Sequence, residues 1–330
     1  MKCAVIGAGA WGTALANVLA TNGHSVALWA REPDVVDTVN QIRENRRFLP
    51  GICIDDGVRA TGVIADALGD AELVTYVAPS HALREVASSG AGAVRPGAVL
   101  VVASKGIERG TLAIMSDVVA DAVPGHAVVG LSGPSFAAEV ANGQPTAVVA
   151  ASHDRAAAAR VQRSLSSDVF RVYTHDDVVG VELGGALKNV MAVATGIAEG
   201  LGLGFNSRAA LITRGLAEMT RLGTALGASP ATFAGLAGLG DLVLTCTGAL
   251  SRNRALGLEL GAGKTLDDAL QGKDSVAEGV LNTISARALA EREGVDMPIV
   301  QAVHRVLFES QPARLAIAEL MTRELRAERD

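Results

Sequence analysis

The stretch Lys2-Cys3-Ala4-Val5-Ile6-Gly7-Ala8-Gly9-Ala10-Trp11-Gly12, followed at once by Ser25-Val26-Ala27-Leu28-Trp29-Ala30, decides the fold. Residues 2–6 and 25–30 read as short buried strands. Between them, glycines at 7, 9 and 12 fit a strand–turn–helix. Gly7 permits the tight turn, Gly9 lets a pyrophosphate approach the backbone, and Gly12 lets the helix lie close on the strand. Such a helix offers its first unpaired N–H groups to phosphate oxygens. Met1 to Asn17 also loosely imitates a secretory leader, but its three glycines and the strand that follows place it in the fold.

Working outward, further apolar runs occur at 73–77, 98–103, 127–131, 146–150 and 169–173. Runs as continuous as Ala98 to Ala103 suit strands covered on both faces, and the early connections are long enough for crossover helices. The expectation is a doubly wound parallel sheet of α/β class over residues 1–180. Near residue 180 the β-rich texture ends. Ser229-Pro230 reads as a helix start, and Gly294 with Pro298 as a break between two helices. An all-α domain is expected over 181–330, with a cleft between the two domains.

The 330 residues carry a net charge of -6, which disfavours nucleic acid as a partner. No run approaches 18 uninterrupted apolar residues, so a membrane span is not expected despite a mean hydropathy of +0.31. Cys3, Cys53 and Cys246 have no metal-ligand spacing and read as reduced, buried thiols of an intracellular protein. Six scattered histidines give no metal pair; His81 alone invites a check.

Ligands in open α/β sheets bind at the carboxyl ends of the strands. Three loops fall there: Pro79-Ser80-His81, Ser104-Lys105-Gly106 and Ser132-Gly133-Pro134-Ser135, the last leading into a helix near Phe136. Lys105 reads either as a cation at the mouth of the sheet or as a solvated surface lysine. The next segment, Val181 to Gly196, is apolar or small nearly all round and predicts a buried central helix. Lys188 and Asn189 are its polar exceptions, each one turn after a glycine (184 and 185). A lysine facing a bare glycine shelf is placed to give a proton to a ketone oxygen; an interdomain ion pair is the plainer alternative. Asp241 would orient Lys188 or a substrate hydroxyl, or cap a turn. Ser251-Arg252-Asn253 opens a helix and makes a ready phosphate site. At the end of the second strand stands Arg31, beside Glu32. It pairs with a 2′-phosphate or lies solvated. Phe48, after Arg46 and Arg47, covers an adenine or anchors its loop. Glu278-Gly279 by itself marks a helix start.

Taken in order, Gly-Ala-Gly-Ala-Trp-Gly (7–12), Ser-Lys-Gly-Ile (104–107), Ser-Gly-Pro-Ser-Phe-Ala (132–137), Gly-Gly-Ala-Leu-Lys-Asn (184–189), Ile-Thr-Arg-Gly-Leu-Ala-Glu-Met (212–219), Gly-Leu-Gly-Asp-Leu-Val-Leu-Thr-Cys-Thr (238–247) and Ser-Arg-Asn-Arg (251–254) resemble the bacterial NAD(P)-dependent glycerol-3-phosphate dehydrogenases. The resemblance covers essentially the whole chain. It implies a Rossmann-type N-terminal domain, an all-helical C-terminal domain and commonly a homodimer; the reduced thiols and the lack of a membrane span make the expected location cytoplasmic. It makes Lys188 the general acid/base. Lys105, Gly133, Ser135, Asn189, Asp241, Ser251, Arg252 and Asn253 would line the substrate site. Gly7, Gly9, Ala10, Trp11, Gly12, Arg31, Phe48, Lys105, Ala137, Arg252, Val276 and Glu278 would contact NADH or NADPH. Two positions depart from the usual family residues: Ala10 stands for a frequent Ser, and Arg31 for a frequent His, which leaves the cofactor preference open.

The implied reaction reduces dihydroxyacetone phosphate to sn-glycerol 3-phosphate for phospholipid synthesis. Lys105 should lower the Lys188 pKa and Asp241 raise it, with the balance open at this stage. A β-hydroxyacid dehydrogenase shares the two-domain plan but places its Asn three or four positions after the Lys, unlike Lys188-Asn189. A dinucleotide-sensing regulator would need no buried lysine at all.

Overall fold

The computed structural model describes residues 1–272, 277–325 and 327–328. Eight strands form one sheet: β1 (Lys2–Ile6), β2 (Ser25–Trp29), β3 (Val58–Thr61), β4 (Leu73–Tyr76), β5 (Val99–Val102), β6 (Ala127–Ser132), β7 (Thr146–Ala151) and β8 (Phe170–His175). Their spatial order is β3-β2-β1-β4-β5-β6-β7-β8. The order reverses at β1, and the crevice at that switch point opens beside the glycine turn. The segment that imitates a leader supplies the central strand β1 and the helix Ala10–Thr21.

Two expectations about the sheet need correction. β3 has no apolar run; it is a four-residue edge strand whose buried and exposed positions alternate, so nothing in its composition announces it. The sheet is also not wholly parallel, because β7 runs antiparallel to β6 and pairs in parallel with β8. The β6–β7 connection holds only the five-residue helix Ala137–Ala141. That is too short to carry the chain back for another parallel crossover.

Two apolar clusters cover the two faces of the sheet. A third belongs to the helical region and takes in Val149 and Ala151 of β7. Its axis is the helix Val178–Gly200, which starts three residues before the expected boundary because Asp177 caps it, accepting from the Gly180 N–H at 2.8 Å. The helix is long and apolar enough to cross a membrane, yet 94% of its most apolar stretch is buried inside this chain. It fits through small residues. Gly196 and Gly200 interleave with Gly257 and Gly261 of the helix Arg252–Gly261, where any added Cβ would overlap the facing backbone. Glu182, in the second turn, reaches the other way. It accepts from Ser116 N (3.0 Å) and Ser116 Oγ (2.6 Å), and burial pushes its carboxyl up to about 7. Pro230 opens the helix Pro230–Phe233, and Gly294, left-handed at φ 66°, ends Glu278–Glu293 before Pro298–Phe308, as the sequence reading expects.

Of the three cysteines, Cys3 and Cys246 are buried, but Cys53 is exposed on the loop before β3. Among the described residues no group of His, Cys, Asp or Glu could hold a metal ion.

Candidate active site

Three segments converge at the carboxyl end of β5 and β6. The loop after β5 brings Lys105, the central helix brings Lys188, and the segment Leu236–Gly240, wound as a single π-turn, delivers Asp241 at the start of the helix Asp241–Thr247. Asp241 is fully buried. One of its carboxylate oxygens accepts from Lys188 Nζ at 2.5 Å and the other from Lys105 Nζ at 2.6 Å. Lys105 also donates to the Gly133 carbonyl at 3.0 Å, which takes the Ser135 hydroxyl at 3.0 Å as well. Gly133 has φ +140°, and a Cβ there would lie 2.9 Å from the Val148 Cα, so only glycine fits. Two ammonium groups about one carboxylate leave one net positive charge in a nearly dry site.

Burial is the strongest influence on Lys188, which is 8% exposed, and it lowers the amine to about 8; Asp241 opposes the shift and Lys105 adds to it. Of the two charges whose balance the sequence leaves open, Asp241 acts more strongly than Lys105, and desolvation is larger than either. Burial alone would push the Asp241 carboxyl up, but Lys105 and Lys188 together hold it below the ordinary carboxylate range.

The glycine shelf is the main correction to the site. A Cβ on Gly184 would overlap the Ala237 carbonyl, and one on Gly185 would lie 2.6 Å from Ser132 Oγ and 3.4 Å from Lys105 Cδ. Both glycines are therefore covered. Their smallness lets the segments carrying Asp241 and Lys105 close on the helix. Asn189 faces a different neighbour: it accepts from Asn253 Nδ2 at 2.9 Å, while Asn253 Oδ1 accepts from the Gly279 N–H at 2.9 Å. Ser251 caps the helix Arg252–Gly261 by accepting from Arg254 N at 3.2 Å, and Arg252 is exposed on its first turn.

Across the cleft, Gly7, Gly9, Ala10, Trp11 and Gly12 form the turn between β1 and the first helix. Gly7 (φ +119°) and Gly12 are packed against backbone, whereas a Cβ on Gly9 would meet nothing within 4 Å. Trp11 Nε1 is a buried donor without an acceptor among the described residues. Open space over Gly9 and an orphaned donor beside it suit a phosphate-bearing ligand, and the turn fits a dinucleotide. Arg31 lies at the surface with its guanidinium on Glu32 (3.0 Å). Phe48 is half-buried under the Arg47 guanidinium, 5.3 Å from the ring centre. Ala137 begins its short helix against the sheet core. Glu278 accepts from Ser80 N (3.2 Å) and Ser80 Oγ (2.6 Å), so its carboxylate is already held by the loop after β4. His81 is exposed there. Val276 lies outside the described residues.

Sequence reasoning missed two residues and left a third unassigned. Asn45, Ser80 and Asn282 are buried polar side chains. Asn282 donates to the Ala186 carbonyl at 3.2 Å, and its oxygen sits over Gly106. Ser80 stands in a loop already marked by its strand-end position. The other two carry no signal, since an isolated Asn in a polar loop or helix reads as solvated.

A doubly wound sheet with an open glycine turn, facing a helical domain that buries a charge-coupled lysine, defines a two-domain dinucleotide-dependent oxidoreductase. Within that class the chain belongs to the NAD-dependent glycerol-3-phosphate dehydrogenase family, whose N-terminal domain matches residues 2–158 and whose C-terminal domain matches 177–318. The glycerol-3-phosphate dehydrogenases (NAD(P)+) of Geobacter metallireducens and Trichlorobacter lovleyi are 57% and 55% identical, each alignment covering 99% of both chains. The crystal structure of the glycerol-3-phosphate dehydrogenase from Coxiella burnetii superposes with a TM-score of 0.94 at 42% identity, over 98% of this chain and 99% of that one.

Proposed function

We propose that this enzyme interconverts dihydroxyacetone phosphate and sn-glycerol 3-phosphate, using NADH or NADPH. The observation that carries the reading is the Lys188–Asp241–Lys105 bridge: a buried amine tuned to about 8, next to a second cation, at the carboxyl end of the sheet. Gly7, Gly9, Ala10, Trp11 and Gly12 hold the pyrophosphate side of the dinucleotide, with Arg31 and Phe48 at its adenosine end and Ala137, Arg252 and Glu278 completing the contacts. Bound in its reduced form, the nicotinamide supplies hydride to the ketone carbon. Lys188 donates the proton that the developing alkoxide requires, and accepts it back in the reverse direction. An amine near 8 is populated in both protonation states close to neutrality, which suits a reversible transfer. Burial lowers the amine to that value, with Asp241 raising it and Lys105 lowering it further, and Lys105, with Gly133 and Ser135, borders the substrate. Arg252, at a helix N-terminus whose cap is Ser251, takes the phosphate; Asn189 and Asn253 fix the floor between them.

On this reading residues 1–180 bind nucleotide and 181–330 bind substrate. The enzyme is a cytoplasmic homodimer without nucleic-acid or membrane partners, and its product supplies glycerophospholipid synthesis. The test is oxidation of NADH and NADPH with dihydroxyacetone phosphate against unphosphorylated dihydroxyacetone. Strong turnover is expected only with the phosphate ester; equal rates would contradict the substrate assignment.

A further inference from the structure

The loop between the helix Pro33–Ile42 and β3 is tied to the glycine turn by one side chain. Asn45 is fully buried. Its Nδ2 donates to the Ala8 carbonyl and to Thr13 Oγ1, both at 2.8 Å, and its Oδ1 accepts from the Phe48 N–H at 3.1 Å. Thr13 Oγ1 in turn donates to the same Ala8 carbonyl at 3.3 Å. Both N–H donors of the amide and one lone pair of its oxygen are thus engaged, which also fixes which way round it sits.

The Ala8 carbonyl and the Gly9 N–H belong to one planar trans peptide, so they point in opposite directions. Pinning the oxygen on Asn45 and Thr13 turns the Gly9 N–H away from them, at a residue where an added Cβ would meet nothing within 4 Å. We infer that Asn45 is a positioning residue for the dinucleotide, aiming the Gly9 N–H at the pyrophosphate and, through Phe48, fixing the adenosine side of the site in register with it. The loop backs this role, since its far end is anchored too: Arg43 donates to the Ile54 and Val58 carbonyls, and Asn17 Oδ1 accepts from Asp55 N at 2.7 Å.

The inference rests on dinucleotide binding at residues 7–12, so wild-type binding of NADH and of ADP-ribose is measured first. If the wild type binds neither, the functional reading itself fails. Given wild-type binding, Asn45→Ala should weaken NADH and ADP-ribose by similar factors, about ten- to hundredfold, as loss of a buried hydrogen-bonded aim predicts. Asn45→Asp, equal in size but presenting a carboxylate to the Ala8 carbonyl, should do at least as much harm. Turnover at saturating cofactor and KM for the triose phosphate should stay within about threefold of wild type, because Lys188 and its partners are untouched. Should Asn45→Ala fail to fold, Thr13→Val removes one of the two pins at nearly constant volume and should weaken both ligands several-fold. A merely structural Asn45 would lower thermal stability and leave the folded fraction binding as the wild type does. That result, or a fall in turnover with unchanged affinities, would overturn the assignment.

Discussion

A buried amine loses hydration that one carboxylate at contact distance only partly restores, and Lys188 follows that rule. Burial lowers it, Asp241 holds it up, and Lys105 pushes it down. The sign of the pH dependence follows. Ketone reduction needs the protonated amine, so kcat/KM for reduction should be level at lower pH and fall as pH rises through about 8, while glycerol 3-phosphate oxidation rises over the same interval. Asp241→Asn keeps the shape of the side chain but removes the charge that raises the lysine. Lys188 and Lys105 would then face each other unscreened, and the break in the profile should move down by roughly one unit or more. A pH–rate profile of the two proteins checks this. A break that stays in place would mean that Asp241 does not set the titrating group. Lys188 and Asp241 are both legible in the sequence, Lys188 as a lysine out of place on an apolar helix. The contact of Asp241 with Lys188 reads as one alternative among three, but its second bond, to Lys105, is not legible, because 136 residues separate those partners and no local pattern records a contact made by folding.

At the scale of elements, the sequence shows where glycine is required more readily than why. Gly184 and Gly185 read as a bare face for substrate, but they are places where two other segments lie on the central helix. Backbone contact at a glycine leaves no mark in the chain that supplies the backbone, so the covering partner is invisible in one dimension. The same holds for β3, whose strand state comes from its pairing with β2, and for β7, whose direction is set by the short connection before it. Gly184→Ala would drive its Cβ into the Ala237 carbonyl, and relief requires the segment leading to Asp241 to move. We expect a loss of about 1–3 kcal/mol, as for other overpacked sites, together with a disproportionate fall in turnover. Gly92→Ala, where an added Cβ meets nothing within 4 Å, is the control and should be near neutral in both. Thermal melts and steady-state kinetics on the two variants make the comparison. Equal effects on both would mean that the tight contact at Gly184 does not position Asp241.

The molecule as a whole divides its labour across a cleft. The doubly wound domain presents the glycine turn, and the helical region presents Lys188, Asp241 and Arg252. The two meet through Glu182 on Ser116, Ser80 on Glu278 and Asn282 over Gly106. The two-domain plan is legible in the sequence because periodicity changes from strand-rich to helical near residue 180; the contacts that close the cleft are not, because they join residues far apart in the chain. This division makes a separable prediction about the central claim, that Lys188 donates the proton. Lys188→Met keeps the length and apolar stem of the side chain, and Asp241 retains Lys105 as its counter-charge at 2.6 Å, so the fold should hold. The decisive measurement is turnover with dihydroxyacetone phosphate at saturating NADH or NADPH, taken beside the dissociation constant of the nucleotide and the melting temperature. We predict a fall in kcat of about 10²–10⁴-fold, the usual worth of a positioned acid, with nucleotide affinity and melting temperature close to wild type. A folded variant that turns over within a few-fold of wild type would contradict the account and move the proton donor to Lys105.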